Sequence, residues 1–138
     1  MDQATKYVAL RQLELSQSFI VISGIFQITL VHNTGAGFGI LKGFSSLFIV
    51  ISVLAIIFFT YALRKKGDAL NNFQKIGISF ILGGTLGNLM DRLRLGYVVD
   101  FLDFIVWPVF NFADTFISIG AGIIIVSMFF CKKSGDKK

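Results

Sequence analysis

The chain has few acidic side chains, and two of them lie in segments that could bring them to one substrate. Only eight of its 138 residues are Asp or Glu. Asp100 lies in YVVDFLDF, and Asp114 lies in FNFADTFISIG. Two close carboxylates cannot both ionise easily, so one keeps a proton and polarises a carbonyl while the other acts as general base on water. Such a pair would hydrolyse a peptide bond without a metal ion.

Several polar residues, including one member of this pair, also have ordinary structural explanations. Asp114 precedes an apolar helix and could cap its free N–H groups, and Asn111 could be a turn former. Asp91 and Arg92 could form an ion pair that closes a helix, with Asn88 one turn before them on the same face. The residue types alone therefore leave both capping and catalysis open.

Other chemistries have little support in the sequence. His32 is the only histidine and Cys131 the only cysteine, so neither a zinc site nor a histidine-assisted nucleophile is indicated. We expect both side chains to be interfacial residues. The GAGFG stretch lacks the lysine of a nucleotide-binding loop, and we expect no metal and no cofactor. The net charge of +5 comes from residues at the ends of apolar runs, so a nucleic-acid partner is not expected.

The composition indicates that the natural solvent of the chain is lipid. Hydrophobic residues make up 54% of it, including 16 Phe, and its mean hydropathy is +0.75. Three apolar runs, over residues 44–63, 76–90 and 115–131, are predicted to be transmembrane helices. The middle run contains Gly84 and Gly87, which let helices pack closely. The predicted fold is an all-α integral membrane bundle with three clear transmembrane helices.

The Lys and Arg residues predict the orientation of this bundle, because positive loops stay on the cytoplasmic side of a membrane. Basic residues follow the first and last apolar runs, at positions 64, 65, 66, 75, 132, 133, 137 and 138. The stretch 91–114 is therefore expected at the outer face as an interfacial loop. Short strands are expected around residues 97–104 and over residues 19–31, as a small extracytoplasmic β element at the membrane surface.

Most acidic residues fall at this outer face. They are Asp2, Asp91, Asp100, Asp103 and Asp114. Ionisable groups near a bilayer are costly unless they pair or face a wet cavity, so their clustering indicates a functional site. Asp100 and Asp103 could instead be wet side chains of an interfacial strand. For Asp103 we expect an exposed surface or supporting role and no catalytic one.

Three blocks of sequence, together with DQATK at the start, resemble the bacterial lipoprotein signal peptidase family, also called signal peptidase II. The blocks are VHNTGAGFG, GGTLGNLMDRLRLGYVVDF and FNFADTFISIG. They occur in the order and spacing of the family and extend over essentially the whole chain. The resemblance implies an intramembrane aspartyl peptidase of the bacterial inner membrane, surrounded by membrane lipids. We also expect the protein to be a monomer. It would cut diacylglyceryl-modified prolipoproteins just before the lipidated cysteine, at the extracytoplasmic face.

The resemblance also implies roles for individual residues. Asp100 and Asp114 would form the catalytic dyad. Arg92 offers planar donors for backbone carbonyls or lipid oxygens, and its neighbour Asp91 is expected to hold the guanidinium in place. The residues that orient the dyad and hold the substrate backbone would be Asp2, Lys6, Asn33, Asn88, Asp91, Arg92 and Asn111.

The chain departs from the family's pattern at its beginning. Members usually have four transmembrane helices, with the DQATK block at the outer end of the first, whereas almost nothing precedes Asp2 here. We expect one membrane-embedded peptidase domain over residues 1–138 with a truncated first helix. Gly37, where alanine is commoner, should be tolerable. A non-enzymatic membrane interaction protein, a proton-coupled carrier and a catalytically silent truncated copy stay open as alternatives.

Overall fold

The computed structural model describes residues 1–35 and 43–130 of the chain. The described part contains helix α1 (Asp2–Gln12), strands β1 (Ser18–Ile22) and β2 (Phe26–Asn33), helix α2 (Ser45–Lys66), a 3-10 turn (Gly67–Ala69), helix α3 (Asn72–Leu95), strand β3 (Val98–Asp103) and helix α4 (Phe112–Phe130). This confirms the predicted combination of helices with a small sheet. The predictions for Gly37, Cys131 and the basic residues after Cys131 lie outside the described residues.

Helices α2 and α4 are long and apolar, and they leave most of their side chains exposed. By length and composition, the segments Ser45–Ala69 and Phe112–Phe129 could each cross a membrane, and only 6% and 17% of their most apolar windows are buried inside the protein. Leu54, Phe58 and Met128 are among the large apolar side chains on their surfaces. Apolar surface of this extent is stable against lipid and unstable in water.

Helix α3 differs from the third transmembrane helix predicted over residues 76–90. It is longer, with 24 residues. However, it is not one of the two helices in the described chain that are apolar enough to cross a membrane by this criterion. Its glycines and the charged residues of its last turns lower its hydropathy. The prediction of three clear spans is therefore confirmed for two, while α3 packs against both of these helices.

The glycines of α3 allow a close approach to α4. A Cβ atom at Gly84 would collide with the carbonyl oxygen of Ala113 and would lie 2.8 Å from a side-chain carbon of Ile117. A Cβ atom at Gly87 would lie 2.7 Å from the Asp2 carboxylate. Larger residues would push α3 away from its neighbours. The close packing predicted for these two glycines is confirmed.

Residues 1–18, for which the sequence predicts no spanning run, contain the short helix α1. Its buried residues are Asp2, Lys6 and Ala9. Spacings of four and three residues place them on one face of the helix, and α1 packs against α3 and β3. Two charged side chains are thereby brought into the interior of the protein.

The three strands form an antiparallel sheet in the order β1-β2-β3, which confirms that the predicted segments form a small sheet. Val31 pairs with Asp100 and Asn33 pairs with Val98, so the register brings Asn33 beside Asp100. The sheet also contributes most of a small apolar core that packs against α1. This core consists of Ala9, Leu30, Val99 and Phe101.

The stretch 91–114, predicted to be an interfacial loop, begins inside helix α3. The helix continues to Leu95 and ends where Gly96 takes a φ of 83°, a left-handed conformation that favours glycine after a helix. Asp91 and Arg92 are therefore helical residues that follow Asn88 by one turn, as their spacing predicts. This part of the loop prediction is wrong, because the apolar pattern gave no sign that the charged turn would stay helical.

The polar segments gather at one end of the bundle. The Gly67–Ala69 turn joins α2 to α3, so the beginning of α2 lies near the end of α3. The first turn of α4 lies at the same end, because Ala113 faces Gly84 and Gly87 of α3. All segments that carry the predicted site residues therefore meet there.

Gly84→Ala should destabilise the contact between α3 and α4, because the added Cβ has no room beside Ala113. Overpacking of this kind costs about 1–3 kcal/mol. We expect a lower Tm in thermal unfolding of the purified protein in detergent. Gly83→Ala is the matched control, since a Cβ there would meet nothing within 4 Å, and it should leave Tm unchanged or slightly higher. Equal Tm values for the two variants would contradict this packing.

Candidate active site

Asp100 and Asp114 lie on the wall of one cavity with a volume of about 330 Å³. Asp100 belongs to β3 and is only 1% exposed, and Asp114 lies in the first turn of α4. Asn33, Asn88 and Arg92 line the same cavity. The structure thus brings both predicted aspartates and three of the predicted supporting residues to a single surface.

Asn111 connects the two carboxylates. Its side-chain N–H donates to Asp100 Oδ1 at 2.7 Å, and its Oδ1 accepts from the backbone N–H of Asp114 at 3.0 Å. In return, Asp114 Oδ2 accepts from the backbone N–H of Asn111 at 3.3 Å. This reciprocal arrangement is a capping box at the start of α4. Capping and a place at the cavity are therefore not alternatives, because the same bonds provide both.

Asparagine side chains orient both aspartates. Asn88 donates its side-chain N–H to Asp114 Oδ1 at 2.7 Å, and its Oδ1 accepts from Lys6 Nζ at 2.9 Å. Because both ends of the amide are bonded, only one of its two orientations satisfies the network. Asn33 makes the corresponding bond to the other aspartate, donating to Asp100 Oδ2 at 2.8 Å.

A buried cation lies behind the two aspartates. Lys6 is 2% exposed, and its ammonium lies 2.7 Å from Asp91 Oδ2 and 3.1 Å from Asp2 Oδ2. Asp2 also accepts from the backbone N–H of Ala113 at 2.9 Å, and Asp91 accepts from that of Val99 at 3.2 Å. Paired and hydrogen-bonded in this way, the charges can be buried. The network joins α1, α3, β3 and α4, which carry or adjoin the aspartates.

Arg92 does not make the contact that the sequence predicts. Its neighbour Asp91 is expected to hold the guanidinium, but the Asp91 carboxylate forms its ion pair with Lys6. Arg92 instead donates from Nη2 to the carbonyl oxygen of Gly35 at 3.2 Å and lies 5.1 Å from the centroid of the Phe48 ring. The reason is geometric, because adjacent residues on a helix point in different directions.

The surroundings of Asp100 favour its protonated form. Burial raises the pKa of Asp100 to about 7, and the charge of Asp114 adds to the rise. Hydrogen bonds from Asn33 and Asn111 and the charge of Lys6 act in the opposite direction. Asp100 can therefore hold a proton at neutral pH that an ordinary aspartic acid has released. A pair of carboxylates that works by acid–base catalysis needs one such protonated member.

The structure adds residues that the sequence does not single out. Gln3 donates to Asp91 Oδ1 at 2.7 Å and to the carbonyl oxygen of Gly87 at 3.1 Å. The sequence feature that could have indicated a role for Gln3 is its position beside Asp2 in the DQATK block. No sequence feature distinguishes the residues of the apolar part of the cavity wall, because apolar side chains occur throughout the chain. This part consists of Phe48, Val98, Trp107, Pro108, Val109 and Phe110.

His32 and Asp103 do not line this cavity. His32 stacks on Tyr97 with 3.9 Å between ring centroids, and burial lowers its pKa. The expectation that Asp103 is exposed is wrong, because its side chain is buried against β2, where it accepts hydrogen bonds from Gln27 and Thr29. Within residues 1–35 and 43–130, no cluster of His, Cys, Asp and Glu could hold a metal ion.

The fold is similar to that of solved bacterial membrane enzymes. Two solved structures of bacterial membrane enzymes, determined in meso at 2.3 and 1.9 Å resolution, match the chain with TM-scores of 0.88 and 0.83. The sequence identities are 36% and 37%. The matches cover 99% and 95% of this chain and 87% and 86% of the solved chains. These similarities support the membrane character that the composition predicts.

A sequence profile described as Signal peptidase (SPase) II matches residues 1–130. The lipoprotein signal peptidase of Halothermothrix orenii is 43% identical over 137 residues, which is 99% of this chain and 92% of the relative. That of Caldanaerobacter subterraneus subsp. tengcongensis is 46% identical over 131 residues, or 94% and 89% of the two chains. The chain belongs to the signal peptidase II family and is a peptidase. The predicted family and enzyme class are confirmed.

Lys6→Met should strongly destabilise the protein, because it leaves the carboxylates of Asp2 and Asp91 buried without their cation. Removing one partner of a buried ion pair costs about 3–5 kcal/mol. The measurement is Tm in detergent. Arg11→Met is the matched control, because Arg11 is exposed on the same helix and its guanidinium lies over the ring of Tyr7. If both variants melt at the wild-type temperature, the buried network does not hold the site together.

Proposed function

We propose that the chain removes signal peptides from diacylglyceryl-modified prolipoproteins, cutting just before the lipidated cysteine, with Asp100 and Asp114 as catalytic residues. The observation that carries this proposal is a pair of carboxylates at one cavity, both bonded to Asn111: its side chain donates to the carboxylate of Asp100, and its backbone N–H donates to that of Asp114. The substrate class is supported by membership of the signal peptidase II family, whose relatives include lipoprotein signal peptidases. The chain thus acts as an aspartyl endopeptidase.

In the proposed mechanism, Asp114 is the general base and Asp100 carries the proton. Asp114 lies in the first turn of α4, where the helix dipole stabilises a negative charge. It takes a proton from water as the water oxygen attacks the scissile carbonyl carbon, while Asp100 donates its proton to the carbonyl oxygen. When the tetrahedral intermediate collapses, the leaving amine takes the proton held by Asp114. The carbonyl re-forms and returns the other proton to Asp100.

The position of the cavity suits a lipid-modified substrate. Its polar side presents the two aspartates, and its other side is apolar, including Trp107, Val109 and Phe110. It lies at the end of the bundle where α4 begins, and the apolar surface of α4 continues from there. A peptide bond beside a diacylglyceryl-cysteine can therefore reach the aspartates while the acyl chains stay in lipid.

Arg92 and Asn33 are the proposed contacts for the substrate backbone. Both line the cavity. One nitrogen of Arg92 donates to Gly35, whereas its buried Nε has no hydrogen-bond partner within the described residues. A buried donor without a partner is costly, so a substrate carbonyl that accepts from it would bind more tightly.

We also propose that the protein is a multi-pass protein of the bacterial inner membrane with its active site at the extracytoplasmic face. In this arrangement α3 is a third crossing helix between α2 and α4. The basic residues Arg64, Lys65, Lys66 and Lys75 lie around the turn between α2 and α3, at the end opposite the cavity, which favours a cytoplasmic location for that turn. Residues 1–138 act as one monomeric domain, since a single chain supplies every predicted site residue.

Asp100→Asn and Asp114→Asn should each abolish cleavage of a diacylglyceryl-modified precursor by the purified protein without any partner. Removing a general acid or base lowers the rate by a factor of about 10²–10⁴. Asp68→Asn is the matched control, because Asp68 is exposed in the turn at the far end of α3. Tm shows whether each variant is folded. A folded Asp100 or Asp114 variant with full activity would rule out the proposed dyad.

The activity should fall as the pH rises through about 7. Burial and the charge of Asp114 raise the pKa of Asp100 to about 7, so the protonated form that the mechanism needs is present below this pH and lost above it. We expect kcat/KM to decline roughly tenfold per pH unit well above this value, because one proton is lost. The measurement is kcat/KM from pH 5 to about 9. A constant or rising value above about pH 8 would contradict a protonated Asp100.

A further inference from the structure

The segment 104–110 connects β3 to α4 and forms part of the catalytic cavity. It is a closed loop, because Leu102 and Phe110 exchange backbone hydrogen bonds at 2.8 and 3.0 Å. Its second half lines the cavity through Trp107, Pro108, Val109 and Phe110, whereas Val106 at its tip is 93% exposed. The conformation of this loop therefore determines the shape of one wall of the cavity.

The loop contains an unfavourable backbone conformation at Ile105. This residue has a φ of 64°, and the N–H of Val106 donates to the carbonyl oxygen of Phe104 at 2.6 Å. A three-residue turn with a positive φ at its centre is rare and strained, and a β-branched residue is among the least suited to it. Such a conformation persists only where surrounding contacts hold it.

The Asp103 carboxylate provides these contacts. Its Oδ1 accepts from the backbone N–H of Ile105 at 2.8 Å. Its Oδ2 accepts from Gln27 Nε2 at 2.7 Å and from Thr29 Oγ1 at 2.8 Å, so it is fixed to strand β2. Although burial acts to raise the pKa of Asp103, these three hydrogen bonds hold it below the ordinary value. The carboxylate is therefore charged at neutral pH and binds the N–H of Ile105 more strongly than a neutral acceptor would.

Aromatic contacts brace the same loop beside the turn. The ring of Phe104 lies 4.8 Å from that of Phe26 at the start of β2 and is stacked at 5.9 Å on that of Phe110 at the end of the loop. Beyond Phe110, the capping box of α4 holds Asn111 and Asp114 independently. A change at Ile105 should therefore disturb the cavity wall without displacing the aspartates.

We propose that Asp103 is a positioning residue for substrate binding, which holds the Ile105 turn and thereby keeps the segment 104–110 in the shape of the cavity wall. This inference rests on the proposed function, because the wall matters only if the substrate binds in this cavity. Asp103 and Ile105 form no hydrogen bond with either catalytic aspartate. Loss of the turn should therefore raise KM and leave kcat nearly unchanged.

The test uses variants that break the turn from each side. Asp103→Leu removes the acceptor, and Ile105→Pro removes both the N–H and the positive φ while leaving the bonds of Asp103 to β2 in place. Ile105→Asn keeps the N–H and tolerates a positive φ, so it should preserve the turn. Asp103→Asn keeps an acceptor oxygen and should rescue much of the loss. The matched control for Asp103→Leu is Asp68→Leu at an exposed position.

The assay measures kcat and KM with a fluorescent peptide that carries a diacylglyceryl-cysteine at the cleavage site. We expect roughly a five- to twentyfold rise in KM for Asp103→Leu and Ile105→Pro, with kcat within about twofold of wild type. Ile105→Asn should stay within about twofold for both constants. Ile105→Pro keeps the proposal testable if Asp103→Leu does not fold, because Ile105 is half-exposed.

Three results would overturn the inference alone: a wild-type KM for Ile105→Pro, a fall in kcat with unchanged KM, or equal effects of the Pro and Asn substitutions at Ile105. Each of these leaves the proposed function standing as long as the unmodified chain cleaves the peptide and Asp100→Asn does not. Failure of the unmodified chain to cleave it would overturn the proposed function, and this inference with it.

Discussion

The buried ammonium of Lys6 is the interaction on which the rest of this structure depends. It is neutralised by Asp2 from its own helix and by Asp91 from α3. The same two carboxylates accept the backbone N–H groups of Ala113 and Val99, which adjoin Asp114 and Asp100 in sequence. A charge buried at this depth is stable only with such partners. The position of the aspartates relative to one another is therefore set by ion pairs on the side of the network away from the cavity.

The network also explains why two carboxylates can be kept at one cavity. Burial and mutual repulsion both oppose the ionisation of Asp100. Three amide side chains, those of Asn33, Asn88 and Asn111, donate to the two carboxylates. Amide donors stabilise a carboxylate without adding a charge, and the ammonium of Lys6 is held by other acids. The charged form of the pair is therefore stabilised only in part, so one carboxyl group can keep a proton near neutral pH.

Local features of this protein are predictable from its sequence, whereas the pairing of side chains that are distant in sequence is not. The apolar run that became α2, the strands beside Asn33 and Asp100, and the cap at Asn111 and Asp114 follow from hydropathy, β-branched residues and turn chemistry. The partner of Asp91 cannot be predicted in this way, because Lys6 lies 85 positions away and reaches Asp91 only once α1 has packed against α3. The burial of Asp103 does not follow from the sequence for the same reason, since it depends on the register between β2 and β3.

The first turn of α4 shows why structural and functional explanations of one residue need not compete. A helix start has N–H groups that need acceptors, and here Asn111, Asp114 and Asp2 all serve as acceptors. Once a carboxylate accepts these N–H groups, the hydrogen bonds fix its position, and the helix dipole favours its charged form. Chemistry that needs an anion at a defined place can use such a residue with little further organisation. The cap therefore provides the rigid support that a catalytic Asp114 requires.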